Sequence, residues 1–167
     1  MAKYTLENNF DFNFFLIGII SSISEYKLCS ILNRNLLLDL EREKSIELKS
    51  KKQQEYHLFS VFGHRDEHSG NSVLLLNNSS SNSLIQSIPA SSSTQAGLFD
   101  ETENLVSQQK GKLIPELADM DYFLLLDGDF TEDEVYRLKS KMDESELVSG
   151  TRIINPDGLP SKNNLLF

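Results

Sequence analysis

The amino-acid sequence predicts an α+β fold: an antiparallel sheet of about six strands in the order β-α-β-β-β-β-α-β, with two helices on one face. Two segments, one after Ser22 and one after Thr131, place apolar residues at helical intervals. Short β-prone runs flank and separate them, bounded by polar turns. The runs between residues 45 and 76 are joined by segments too short for a parallel crossover, which favours antiparallel pairing. The one alternative left open is a mixed sheet, because either terminal β-α-β third could join parallel strands.

Each element rests on its own residues. Phe10, Phe12, Phe14 and Leu16 alternate with Asp11, Asn13 and Phe15, the period of a half-buried strand over 10–16. Ser22 and Glu25 have capping-box spacing, and Leu28, Ile31, Leu32 and Asn35 follow at helical intervals, predicting a helix over 23–36. Residues 45–48, 56–62 and 72–76 read as a meander, with a clear turn over 63–71. Residues 78–111 crowd serines with asparagine and glutamine; such a stretch buries too little apolar area to offset its ordering entropy, so a disordered surface insertion is expected. Residues 122–126 form a continuous apolar strand. Thr131 and Glu134 complete a capping box, Phe130 can staple onto Val135, and Val135, Leu138 and Met142 share one helix face. A last strand over 147–154 precedes a turn at Asn155, Pro156, Asp157 and Gly158 and a tail over 156–167. A chain of 167 residues is expected to fold as one domain.

A net charge of −9 repels phosphate backbones and anionic headgroups, so neither nucleic acid nor membrane is expected as a partner. Lys49, Lys51 and Lys52 read as a solvated turn. Cys29 is the one cysteine, set among Leu28, Ile31 and Leu32, and reads as an inert buried thiol. The apolar run over 14–20 is far shorter than the roughly 20 residues of a spanning helix, and acidic residues precede it where a signal peptide would be basic. A cytoplasmic protein is expected.

Two patterns resemble catalytic motifs. A hydrophobic strand ending in Asp127, Asp129 and Thr131 resembles the nucleophile motif of haloacid-dehalogenase-type phosphatases, in which the first aspartate attacks phosphorus and the second serves as acid and base. Phe130 stands where that pattern has glycine, and few residues remain for its downstream motifs, so a capped strand-to-helix turn explains the same residues. His64, Glu67 and His68 match H-x-x-E-H, but zinc peptidases need that spacing on a helix, and here it falls beside Gly63 and Gly70 in a hairpin. No phosphate-binding glycine loop or serine nucleophile elbow occurs, and no cofactor is expected.

Ile114, Pro115, Glu116, Asp121 and Tyr122 resemble the motif that names the bacterial IPExxxVDY family, with Met120 in place of its valine. The likeness extends to residues 12–32 and to the ending over 161–167. It implies an uncharacterised protein and no activity. Physically, Pro115 biases Ile114 toward an extended backbone and Tyr122 opens the next strand, so a structural role is expected for the motif.

These readings predict a non-enzymatic module that binds an unidentified protein partner, with a small phosphoryl-transfer or hydrolytic enzyme using Asp127 and Asp129 as the alternative. Candidate contact residues are Leu165, Leu166 and Phe167 in the tail, and Leu98 and Phe99 in the insertion. The latter pair ends a Q-x-x-L-F pattern that resembles a sliding-clamp-binding motif. Apolar residues at a tail must either dock on their own domain, the preferred expectation, or be offered to a partner.

Overall fold

A computed structural model describes residues 13–49, 56–80, 83–84 and 111–167. The fold is α+β, with a six-stranded antiparallel sheet and two helices in the predicted order. The strands are β1 (Phe14–Ile20), β2 (Glu41–Arg42), β3 (Ile46–Lys49), β4 (Tyr56–Phe59), β5 (Val61–Arg65), β6 (Ser72–Asn77), β7 (Ser83–Leu84), β8 (Tyr122–Asp127) and β9 (Gly150–Ile154). Helix α1 spans Glu25–Leu36 and α2 spans Glu132–Asp143. The large sheet runs β2-β5-β6-β8-β1-β9, and β3-β4-β7 form a second, three-stranded sheet.

The register sorts the apolar residues onto two faces. Ile17 lies opposite Leu124 and Ile19 opposite Tyr122. With Val73, Leu75 and Phe62 these side chains form the upper core, closed by Leu28 and Leu32 of α1 and by Val135 and Met142 of α2. Both helices therefore cover one face. The intervening residues Leu16, Phe123, Leu125 and Leu76 face down, where Ile46 and Phe59 of the small sheet, Ile114, Met120 and Leu165 complete a lower core. This layer explains why β8 is apolar without alternation: both its faces are covered.

The same physics corrects the first strand. It begins at Phe14 rather than at residue 10. β1 lies between β8 and β9 and is covered on both faces, so the strand is the continuous run 14–20; residues 10–12, which suggested alternation, fall outside the described residues. Gly18 sits mid-strand because a Cβ there would meet Met120 Sδ at 2.7 Å and Ile154 Cδ1 at 2.8 Å. The run 56–62 is two strands, broken at buried Ser60, where the chain passes from the small sheet to the large one.

The helix termini differ in kind. α2 has its predicted box: Glu134 N–H donates to Thr131 Oγ1 at 3.3 Å, and Thr131 N–H donates to Glu134 Oε2 at 2.8 Å. α1 lacks one. It starts at Glu25 after Ser24, whose side chain makes no cap bond, and the Glu25 carboxylate accepts instead from Ser60 Oγ and Asn77 Nδ2, both at 3.0 Å. α1 ends on Leu37 in the left-handed region (φ 58°), 84% exposed. Leu37→Gly is expected to raise stability by about 0.5–1 kcal/mol, the relief of Cβ strain less the added entropy of the unfolded chain. A denaturant midpoint no higher than that of the parent chain would contradict this.

Candidate functional site

The segment over 113–122, which carries the IPExxxVDY-like residues, wraps around a single side chain. Asn78 is fully buried, and its amide nitrogen donates to Leu117 O at 3.0 Å and Met120 O at 2.8 Å while its oxygen accepts from Ile114 N–H at 2.9 Å. Its backbone N–H donates to Asp121 O, and its carbonyl accepts from Leu113 N–H. Every polar atom of the side chain is thereby used. The turn Pro115–Leu117 is a short 3-10 helix begun by Pro115. Composition had assigned Asn78 to the serine-rich insertion, but Asn78, Ser79, Ser80 and Gly111 belong to the folded body, with Ser79 bridged to Lys112. The rest of that stretch, including Leu98 and Phe99, lies outside the described residues apart from the two-residue strand β7.

Each remaining motif residue ties this segment to another part of the fold. Ile114 and Met120 fill the lower core. Asp121 Oδ2 accepts from Ser21 N–H at 2.9 Å, and Tyr122 OH donates to Ile23 O at 2.6 Å, so both fix the link from β1 to α1. Burial, then the charges of Glu25 and Asp121, push the Tyr122 hydroxyl above its ordinary value and keep it a donor. Glu116 Oε1 accepts from Ser161 N–H at 2.6 Å.

Ser161 belongs to a strap over 155–167 that crosses beneath the large sheet. Leu165 is 3% exposed in the lower core, and Asn164 Nδ2 donates to Leu113 O at 2.8 Å. The expected docking of the tail on its own domain is made through Leu165. Leu166 and Phe167 stay outside, 37% and 61% exposed. They form one wall of a groove of about 530 Å³ whose opposite side is the edge strand β3. Ile46, Leu48 and Leu74 give it an apolar floor; Glu43, Lys44, Glu47 and Arg65 stand at its rim, with Arg65 Nε 3.9 Å from Glu43.

Partial burial would raise the Glu116 carboxyl, but hydrogen bonds from Ser161 and from its own backbone outweigh it and hold the group below its ordinary 4.5. A lowered carboxylate stabilises its folded contact fully above the unfolded value and loses that contribution as pH falls through the folded one. The Ser161 amide is therefore expected to keep its exchange protection at pH 4.5 and to lose it only as pH falls further, and Glu116→Gln to remove that pH dependence. A Glu116→Gln chain whose Ser161 amide keeps the pH profile of the parent would contradict the contact.

The motif-like residues of catalytic appearance are placed apart from this groove. Asp127 and Asp129 lie exposed on the turn between β8 and α2, where Gly128 takes φ 118° beside Asn71 and Asp129 N–H donates to Asn71 Oδ1 at 2.9 Å. β8 runs antiparallel to both neighbours, so the crevice that parallel strands open at their carboxyl ends does not form there. His64 is on β5, where its Nδ1 accepts from Asp39 N–H at 3.2 Å; His68 is in the hairpin turn beside Asp66. Among the described residues no three His, Cys, Asp or Glu side chains converge to hold a metal ion. Cys29 is buried with Sγ donating to Leu40 O at 3.3 Å, and burial followed by the Asp39 charge pushes its thiol up, away from the reactive thiolate. Among the described residues no helix is long and apolar enough to cross a membrane.

No known protein family, curated protein or solved structure matches this chain.

Two features of this region had no advance signal in the sequence. Asn78 follows Asn77 directly after an apolar strand and reads locally as turn chemistry. β3 reads as one more strand, and nothing local distinguishes an edge that borders a groove from one that is paired.

Proposed function

We propose that this protein is a non-enzymatic module that binds another protein through the groove between β3 and the 155–167 strap, working in the cytoplasm. The observation that supports this reading is the combination of a strand edge with an apolar wall: among the described residues β3 pairs with β4 alone, and Leu166 and Phe167 hold apolar surface in solvent across the groove from it. A strand edge offers backbone hydrogen bonds to an extended peptide, and the apolar wall offers side-chain pockets. The groove has a volume of about 530 Å³. Membership of the IPExxxVDY family is proposed on Ile114, Pro115, Glu116, Asp121 and Tyr122; that likeness supplies a name without an activity and favours neither reading.

The test is site-specific photo-crosslinking in cells from exposed Glu47, at the groove, and from exposed Tyr136 on α2 as a control. A discrete adduct from position 47 that position 136 does not give is the expected result. Equal adducts from both positions would count against the groove. Magnesium-dependent turnover of a phosphomonoester that Asp127→Asn abolishes would replace this reading with phosphoryl transfer.

A further inference from the structure

β3 carries a charge pattern that is complementary to itself. Its register with β4 sets Ile46 opposite Phe59 and Leu48 opposite His57 on one face, and Glu47 opposite Leu58 and Lys49 opposite Tyr56 on the other. Ile46 and Leu48 form the groove floor and join the lower core, while Glu47 and Lys49 are exposed on the outer face. Lys49 Nζ lies 5.9 Å from the centroid of the Tyr56 ring, which holds the ammonium on that face. Among the described residues β3 pairs with β4 alone, and Glu47 has no ion pair. Outward-pointing backbone groups fall on alternate residues of a strand, so two copies of one strand can pair antiparallel about a two-fold axis only in registers centred on a single residue. Centring on Glu47 sets two carboxylates against each other, and centring on Lys49 sets two ammonium groups together. Centring on Ile46 places a side chain that is 7% exposed on itself and leaves Leu48 of each copy opposite Lys44 of the other. Centring on Leu48 sets Leu48 on Leu48 and places Glu47 of each copy opposite Lys49 of the other, so the opposite charges are matched twice.

We propose that the groove face binds a second copy of this chain, the two β3 strands pairing antiparallel about a two-fold axis through Leu48. This rests on the reading that the groove binds protein, and it names the partner. Pairing in this register joins the two three-stranded sheets edge to edge and brings Leu48 of each copy into the groove that Leu166 and Phe167 border. The net charge of −9 on each copy opposes association at long range. Salt of physiological strength screens that repulsion beyond about 8 Å, whereas side chains directly opposite each other across two strands are only about 5 Å apart. The local match of Glu47 with Lys49 therefore selects the register. A contact built on four-residue strands belongs with small, reversible interfaces below roughly 1,200 Å², so the dimer is expected to dissociate on dilution.

The test is sedimentation velocity of the full chain over a micromolar-to-millimolar concentration series, with charges exchanged on β3. The parent is expected to pass from monomer to dimer as concentration rises. Glu47→Lys alone and Lys49→Glu alone each set like charges opposite one another, and each should weaken self-association at least ten-fold. Both residues are exposed, so the unfolding midpoints of these variants should stay near that of the parent. An equimolar mixture of the two single variants should dimerise as the parent does, because every opposing pair again carries opposite charges, and so should one chain carrying both substitutions. A parent that stays monomeric throughout, single variants that dimerise like the parent, or a mixture that stays monomeric would overturn the proposal. The mass of the adduct from position 47 separates it from the groove reading. An adduct of two copies of this chain is expected. An adduct with a different protein would overturn the second copy and leave the groove as a binding face, whereas equal adducts from positions 47 and 136 would remove both.

Discussion

Asn78→Ala is expected to cost about 2–5 kcal/mol, because it strands two buried backbone groups at once. Met120 O loses its donor and Ile114 N–H its acceptor beside a side chain with no solvent exposure, while Leu117 O keeps the Met120 N–H at 3.0 Å. Each buried polar group left without a partner costs about 1–3 kcal/mol. Asn78→Asp should be no better, since it keeps the acceptor for Ile114 but removes both donors and sets a charge against two carbonyls. Urea unfolding measures this directly, and a loss under 1 kcal/mol for Asn78→Ala would mean that the motif segment holds its shape without the clamp.

Leu165→Ala is expected to cost about 2–3 kcal/mol, the low end for a buried leucine, because the strap can settle partway into the cavity. Phe167→Ala should change stability by less than about 0.5 kcal/mol, since that ring is mostly in solvent. Unfolding midpoints of the two variants compare the one residue in the core with its exposed neighbour. Equal midpoints would place Leu165 outside the core.

Where local chemistry determines an element, the sequence was enough to find it. Thr131, Glu134 and Phe130 mark the start of α2 without reference to the rest of the chain, and the apolar run over 122–126 marks β8 as a strand, while the layer that covers its second face shows only in the structure. Elements that exist through pairing were not visible. β2 and β7 are two residues each and owe their strand geometry to β5 and β4. The break at Ser60 carries no glycine or proline, because the chain turns there to satisfy Glu25, Ser60 and Asn77 together. The Ser22 and Glu25 spacing misled for the same reason: Glu25 has partners across the fold that outcompete a local cap.

The candidate site divides along the same line. Ile114, Pro115, Glu116, Asp121 and Tyr122 could be singled out by pattern, and their structural role follows from contacts with Ser21, Ile23 and Ser161 that lie up to 100 residues away in sequence. The strap announced itself by apolar residues at 165–167, but only the lower core distinguishes Leu165, which docks, from Leu166 and Phe167, which do not.

The most direct measurement of the central claim is the crosslinked adduct from position 47 in a chain carrying Phe167→Asp. That substitution leaves the core untouched, so the unfolding midpoint should stay within the error of the parent. The groove wall is lost, and the adduct should fall at least ten-fold. An undiminished adduct from a stably folded Phe167→Asp chain would contradict the assignment of the groove as the binding face.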